Sequence, residues 1–386
     1  MRRRGLDEAL ERARQVVREV VEPAAETVDA EARWPEKGIR ALQQAGLGGL
    51  VVPEVHGGLG LGMKGLVSVC EQLGRACAST SLCFGMHCVG TAVIVAKVTN
   101  VQTEQYLEPI CRGEHLTTLA LSEPGAGSHF YFPMTRLERH DGRLHIEGKK
   151  VFVTNGGYAD SYVISTAAGN SDHEAGEFSC VVLTEGTPGM TWGPDWNGLG
   201  LRGNASRSLD LEGIEIPESN LLGEEGDEIW YVFQVIMPYF LSAMAATFLG
   251  VAQAALEDAV THVRARTYKH SGAGLSESQV VQHRLGTLWA EVERTRRLIY
   301  FSAEEADAGG PQALNALCSA KAEAAACVVS VVNGAMTLMG GRAYQSHAPI
   351  WRRLRDARAA DVMAPTTDIL RTWTGRTLLE VPILKE

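Results

Sequence analysis

Residues 117–128 read Thr117-Thr118-Leu119-Ala120-Leu121-Ser122-Glu123-Pro124-Gly125-Ala126-Gly127-Ser128, and Val153-Thr154-Asn155-Gly156-Gly157 follow within the length of one strand hairpin. In the first stretch an apolar strand runs into a hydroxyl, a proline and three small residues. Backbone N–H groups and hydroxyls at such a strand end can face a planar polar ring or a diphosphate, with no bulky side chain between. The second stretch delivers another hydroxyl, Thr154, beside the aromatic Phe152. Taken alone, the Gly/Ser run reads equally as a plain loop and Phe152 as a core aromatic. The pair of segments at this spacing is the specific signal.

Working outward, short β-branched segments occupy 116–121, 144–154, 161–166, 178–184 and 209–216, and Asp141-Gly142 is a tight hairpin signal. Upstream, Leu10, Ala13, Val17 and Val20 recur at helical spacing until Pro23 and Pro35 punctuate the pattern, and 64–110 continues in helical mode. Downstream, alanine-rich stretches at 241–266, 278–308 and 313–339 read as a helical bundle whose small residues permit close approach. The order helices, sheet, helices gives an α+β chain. No internal repeat or low-complexity linker interrupts it.

At 386 residues the chain implies two or three packed units. A net charge of −10 argues against nonspecific binding to nucleic acid or to an anionic membrane, since both reward basic patches. The start, Met1-Arg2-Arg3-Arg4, is followed by Asp7, Glu8 and Glu11 rather than by an apolar run. It reads as a solvated helix start and not as a targeting segment. Without a run of about 18 apolar residues, no membrane span is expected. The eight cysteines form no C-x-x-C pair and read as reduced, mostly buried thiols of a cytoplasmic protein. No metal site is expected.

The two opening segments resemble the flavin-binding core of the acyl-CoA dehydrogenase family, in which a T/S-E-P-x-A-G-S segment and a W/F-x-T-N-G strand hold FAD. Further motifs in the family's order extend the resemblance over nearly the whole chain. They include Gly46-Leu47-Gly48-Gly49, Gly57-Gly58-Leu59-Gly60, Gly200-Leu201-Arg202, Leu221-Leu222-Gly223, Gly340-Gly341 and Arg355-Asp356-Ala357. The resemblance implies an N-terminal α-helical domain over 1–114, a central β-barrel-like sheet domain over 115–227 and a C-terminal four-helix-bundle domain over 228–386. It also implies a homodimer or homotetramer, because the family's FAD spans a subunit boundary.

Carried over residue by residue, the resemblance places Leu121 and Ser122 at the polar edge of the flavin ring and Gly127 and Ser128 at the diphosphate. Phe152 would lie against the ring, where the family often has Trp, and the Thr154 hydroxyl near the atom that takes the hydride. Arg264 and Arg266 both fall near the family's diphosphate arginine. The register is off by one and Lys269 replaces a glycine, so the choice between them stays open. Gly340 and Gly341 would let a neighbouring subunit's FAD pass close to the backbone, although Thr337 and Ala343 replace a usual glutamine and glycine. Thr366 completes the expected cofactor set.

The family removes an α-proton from an acyl thioester with a Glu while a hydride goes to the flavin. Most members carry that Glu eight to ten residues beyond Arg-Asp-Ala, and ungapped counting puts Ala364 there, with Pro365 where Gly usually follows. A minority place it on the first long C-terminal helix, where Phe240 stands between Tyr239 and Leu241. Both positions lack an acid, which leaves Asp361, Asp368, His129, His87 and Tyr239 as replacements to weigh. Three readings follow. The first is a dehydrogenase of acyl thioesters, on coenzyme A or a carrier protein, with a relocated base or an unusually acidic substrate and an electron-transfer partner. The second is a monooxygenase using reduced FAD and O₂. The third is a catalytically silent flavin-binding partner subunit. Retention of Ser122-Glu123-Pro124 and Thr154-Asn155-Gly156 favours the first.

Overall fold

The structure, a computed structural model, describes residues 2–167, 178–224 and 229–384. The expected boundary at 227/228 falls at residues outside that set. Seven helices come first: α1 Arg2–Val16, α2 Glu22–Ala30, α3 Glu36–Gln44, α4 Gly62–Ala76, α5 Ala78–Ala96, α6 Asn100–Gln102 and α7 Glu108–Arg112. Among the described residues eight strands follow: β1 Thr117–Ala120, β2 Arg136–His140, β3 Arg143–Val153, β4 Ser161–Thr166, β5 Ser179–Thr184, β6 Met190–Trp192, β7 Arg207–Pro217 and β8 Leu221–Leu222. The chain ends in α8 Met237–Ala265, α9 Gln279–Asp307, α10 Ala313–Met339, α11 Pro349–Ala357, α12 Ala359–Val362 and α13 Thr367–Leu378.

The strands form two four-stranded sheets, ordered β1-β4-β5-β8 and β2-β3-β7-β6. The expected hairpin joins β2 to β3 through Asp141 and Gly142, both at positive φ, as a two-residue turn matched to strand twist requires. Strand β3 pairs with β7 across a register shift between Lys150 and Val153. That bulge puts Phe152 at φ 56 and re-aims its ring. The sequence reading did not anticipate β6 or β8, which have three and two residues and carry almost no pattern of their own.

Pro23 does not end the first helix, contrary to the reading of the sequence. A five-residue π segment, Val17–Val21, precedes it, and the proline enters at the start of α2. The same device recurs at Pro109 after Thr103–Leu107 and at Pro238 after Tyr231–Ile236. The wider π turn shifts the hydrogen-bond register, so the missing proline N–H and its ring are tolerated and the helix runs on.

Helix α5 is buried on every side, packed between α4, α8 and β1. Helices α4 and α8 cross at Gly74 and Gly250, where a Cβ would meet the Thr247 and Glu71 carbonyl oxygens at 2.3 and 2.4 Å. One apolar core runs from the N-terminal helices through both sheets into the bundle. The membrane expectation needs correcting at one point. Ala78–Ala96, Tyr231–Ala265 and Ala313–Arg342 are long and apolar enough to cross a bilayer by length and composition. Counting uninterrupted apolar residues missed them because glycine, serine and threonine are interspersed. The first two are 94% and 89% buried within the fold, which accounts for their apolarity, whereas the third is only 44% buried. All eight cysteines are free thiols, and only Cys111 is partly exposed.

Candidate active site

A cavity of about 700 Å³ opens where the end of β1, the β3 bulge, the 196–206 loop, the start of α8 and the 359–365 segment meet. Leu121, Ser122, Gly127, Ser128, Phe152 and Thr154, six of the residues predicted to hold the cofactor, all line it. Backbone bonds fix the first of these segments, since Val151 N–H donates to the Ser122 carbonyl at 2.8 Å. Gly127 sits at φ 54, and a Cβ built on it meets nothing within 4 Å. Its open side is a cradle that only the absence of a side chain leaves free. Phe152 is 64% exposed and makes an edge contact with Trp196 across 6.2 Å. An exposed aromatic ring beside an open cradle fits a planar partner.

Thr154 is held from both sides. Its carbonyl accepts from Thr118 Oγ1 at 3.0 Å, and its hydroxyl lies 3.3 Å from Ser206 Oγ. The next residue, Asn155, ties the site to the N-terminal helices. Trp34 Nε1 donates to its Oδ1 at 2.9 Å, and its own Nδ2 donates to the Cys83 carbonyl at 3.0 Å.

Beneath Ser122 lies a pair that the sequence reading missed. Lys150 Nζ, fully buried on β3, donates to Glu123 Oε1 at 2.5 Å and to the Ser165 carbonyl and hydroxyl at 2.6 and 2.9 Å. Glu123 also accepts from Met134 N–H, Thr135 N–H and Thr135 Oγ1. Burial alone would push the Glu123 carboxyl up, but the Lys150 charge and these donors outweigh it and hold it below its ordinary value. The signal in the sequence is weak: Lys150 follows a second lysine, the exposed Lys149, and only the strand alternation turns Lys150 inward.

Both vacant base positions, Ala364 and Phe240, line the same cavity. Among the described residues Glu123 is the one titratable side chain in the lining, and it is engaged as a carboxylate: Oε1 accepts from Thr135 N–H, Thr135 Oγ1 and Lys150 Nζ, and Oε2 from Met134 N–H. None of the five replacements weighed for the base reaches the lining. Asp361 pairs with Arg358 at 3.1 Å, and Asp368 is exposed in the first turn of α13. His129 is exposed and stacks edgewise on Tyr131. His87 is a buried strut: its Nδ1 accepts from Thr117 N–H at 3.2 Å and its Nε2 donates to the Gly48 carbonyl at 2.9 Å. Burial lowers it to about 4, so it stays neutral. Burial raises Tyr239 to about 12.

The remaining predicted cofactor residues lie elsewhere. Arg266 lines a second cavity of about 550 Å³ with Lys269, His270 and Arg342, a cationic surface suited to anionic oxygens. Arg264, exposed like Arg266, is not part of that lining. Gly340 and Gly341 are exposed at the end of α10, and Thr366 stands just before α13, one residue beyond the main cavity, without a side-chain bond to the helix end.

Arg355-Asp356-Ala357 staples the site together. Arg355 pairs with Asp29 of α2 and donates to the Leu199 carbonyl at 3.0 Å, while Asp356 accepts from Leu201 N–H at 2.7 Å. Burial raises Asp356 to about 6. A carboxyl held above its unfolded value favours the fold while protonated and loses that contribution as pH rises through about 6. Asp356→Asn is therefore expected to gain stability relative to wild type between pH 4 and 7, read as a widening gap in thermal midpoint. A gap independent of pH would refute the assignment.

Three family models match along the chain: acyl-CoA dehydrogenase N-terminal domain over residues 6–114, middle domain over 118–214 and C-terminal domain over 230–379. An acyl-CoA dehydrogenase of Bacillus subtilis is 30% identical over 95% of this chain and 96% of its own length. The cyclohex-1-ene-1-carbonyl-CoA dehydrogenase of Geobacter metallireducens is 32% identical over 96% and 97%. Butyryl-CoA dehydrogenase from Megasphaera elsdenii superposes with a TM-score of 0.91 at 26% identity, covering 97% of this chain and 98% of that one. The FAD complex of PigA shares the fold, with a TM-score of 0.89 at 23% identity over 97% of each chain. The chain belongs to the acyl-CoA dehydrogenase family.

Proposed function

We propose that the chain is an FAD-dependent acyl-thioester oxidoreductase whose substrate brings an already acidic carbon, because no free base lines the cavity among the described residues. The observation that carries this reading is the convergence of residues 121–128 and 152–154 on one cavity with Ala364 and Phe240. FAD supplies the acceptor for the hydride that leaves the substrate. Leu121, Ser122 and Thr154 present polar groups to it, while Gly127 and Ser128 leave room for its diphosphate. Met237, Phe240, Met363 and Pro365 form an apolar wall that excludes water and receives an uncharged acyl group. The Lys150 charge and the donors around Glu123 hold it as a weakly basic carboxylate, so the α-proton of an already acidified carbon would pass to solvent water at the cavity mouth while the neighbouring carbon would give its hydride to the bound flavin. The thioester carrier is coenzyme A or a carrier protein.

A homo-oligomer belongs to this reading. Its support is the partly buried α10 and the placement of Arg266 and Gly340 away from the main cavity. The monooxygenase is the second reading, favoured by the same lack of a free base among the described lining residues, since hydroxylation by a reduced flavin and O₂ takes no α-proton.

The test is anaerobic mixing of the holoprotein with thioesters of graded α-carbon acidity while the visible flavin band is followed. Bleaching that rises with acidity supports the reading. No bleaching by any member of the panel removes it. Gly127→Leu separates cofactor from chemistry: it strains a left-handed backbone position by about 1–2 kcal/mol and fills the cradle. Protein purified with this change is expected to be colourless and folded. A yellow Gly127→Leu protein would show that FAD lies elsewhere.

A further inference from the structure

Lys321 on α10 is 1% exposed. A buried ammonium persists where fixed acceptors replace water, and the two acceptors here are informative. Nζ donates to the Met363 carbonyl at 3.0 Å and to the Pro365 carbonyl at 3.0 Å, the groups on either side of Ala364. Met363, Ala364 and Pro365 all line the cavity. They form a bend between α12 and α13, with Met363 N–H reaching back to the Ala359 carbonyl and Pro365 having no N–H to give. A second tie across the bend is the long contact of 3.4 Å from Thr367 Oγ1 to Asp361.

We propose that Lys321 is the positioning residue of the cavity wall at 363–365: by clamping the carbonyls on both sides of Ala364 it sets where that side chain stands and which acyl groups fit. The acyl-group half of this statement rests on the proposed function, and the wall half does not. Nothing in the spacing of α10 distinguishes Lys321 from a solvated lysine, because its partners lie more than forty residues further along the chain. Burial lowers it to about 8, as expected for an ammonium kept from water.

The experiment compares Lys321→Met with Val328→Ala, which opens a cavity at a fully buried position of the same helix without touching the bend. Hydrogen exchange of peptides covering 359–367 is read against those covering 117–128. Lys321→Met is expected to speed exchange at 359–367 by about tenfold with 117–128 unchanged, while Val328→Ala produces no such local effect. On holoprotein, the Kd of an acyl thioester, read from perturbation of the flavin band, should rise by about tenfold with FAD retained. Equal acceleration in all peptides, or none at 359–367, overturns the proposal. If the wild type binds no thioester, the proposed function fails while the exchange comparison still decides the role of Lys321. Should Lys321→Met not fold, Lys321→Gln, which keeps an amide donor, carries the same comparison with a smaller local acceleration expected.

Discussion

Ala364→Glu is expected to raise the rate of anaerobic flavin reduction by simple saturated acyl thioesters about tenfold or more, a modest share of the roughly 10²–10⁴ that a positioned base supplies. The expectation follows from the lining. Residue 364 faces the cavity that also holds Ser122, Phe152 and Thr154. Among the described residues no free carboxylate or imidazole lines the cavity, so a new Glu meets no like charge there except Glu123, which is already paired with Lys150. Lys321 anchors the carbonyls on both sides of residue 364 and puts a cation close behind a new carboxylate, which favours its charged, proton-accepting form. Wild type and variant are compared with one thioester panel. Fast bleaching of wild type by saturated thioesters, with no gain in the variant, would mean that a base enters from outside the described lining.

The second large effect is on stability. Lys150→Met should cost about 3–5 kcal/mol, because it strands the Glu123 carboxylate in a site that is 2% exposed and leaves the Ser165 groups without their donor. Pairing it with Glu123→Gln should recover a substantial part, since removing both charges abolishes the uncompensated one. Urea unfolding of the three proteins checks this. A double variant no more stable than Lys150→Met would show that the charge pair is not what holds this corner. Glu123 and Ser122 are adjacent, so the single variant should also bind FAD more weakly.

The sequence made the site's outline legible because the residues expected to face the cofactor are local. Ser122–Ser128 and Phe152–Thr154 each sit in a short run whose residue types announce a strand end that leaves room for a ligand, and the structure brings the two runs together. The Asp141-Gly142 hairpin and the three long C-terminal helices were legible for the same reason. What stayed hidden is long-range. Lys150 to Ser165, Lys321 to Pro365, Arg355 to Asp29 and Trp34 to Asn155 join residues with no local pattern between them. The π segments were hidden for a different reason: a proline in an amphipathic run reads as a stop, and only the hydrogen-bond register shows that the helix passes through it.

The mass balance of a single anaerobic turnover decides whether the flavin takes a hydride from the acyl thioester. Holoprotein is mixed with an acyl thioester carrying an acidified α-carbon, the bleached flavin is quantified, and the acyl product is identified by mass. The product is expected to have lost two hydrogens, one thioester being converted per flavin reduced. A product that forms only after chemical reduction of the flavin and admission of O₂, and that has gained an oxygen atom, would contradict it.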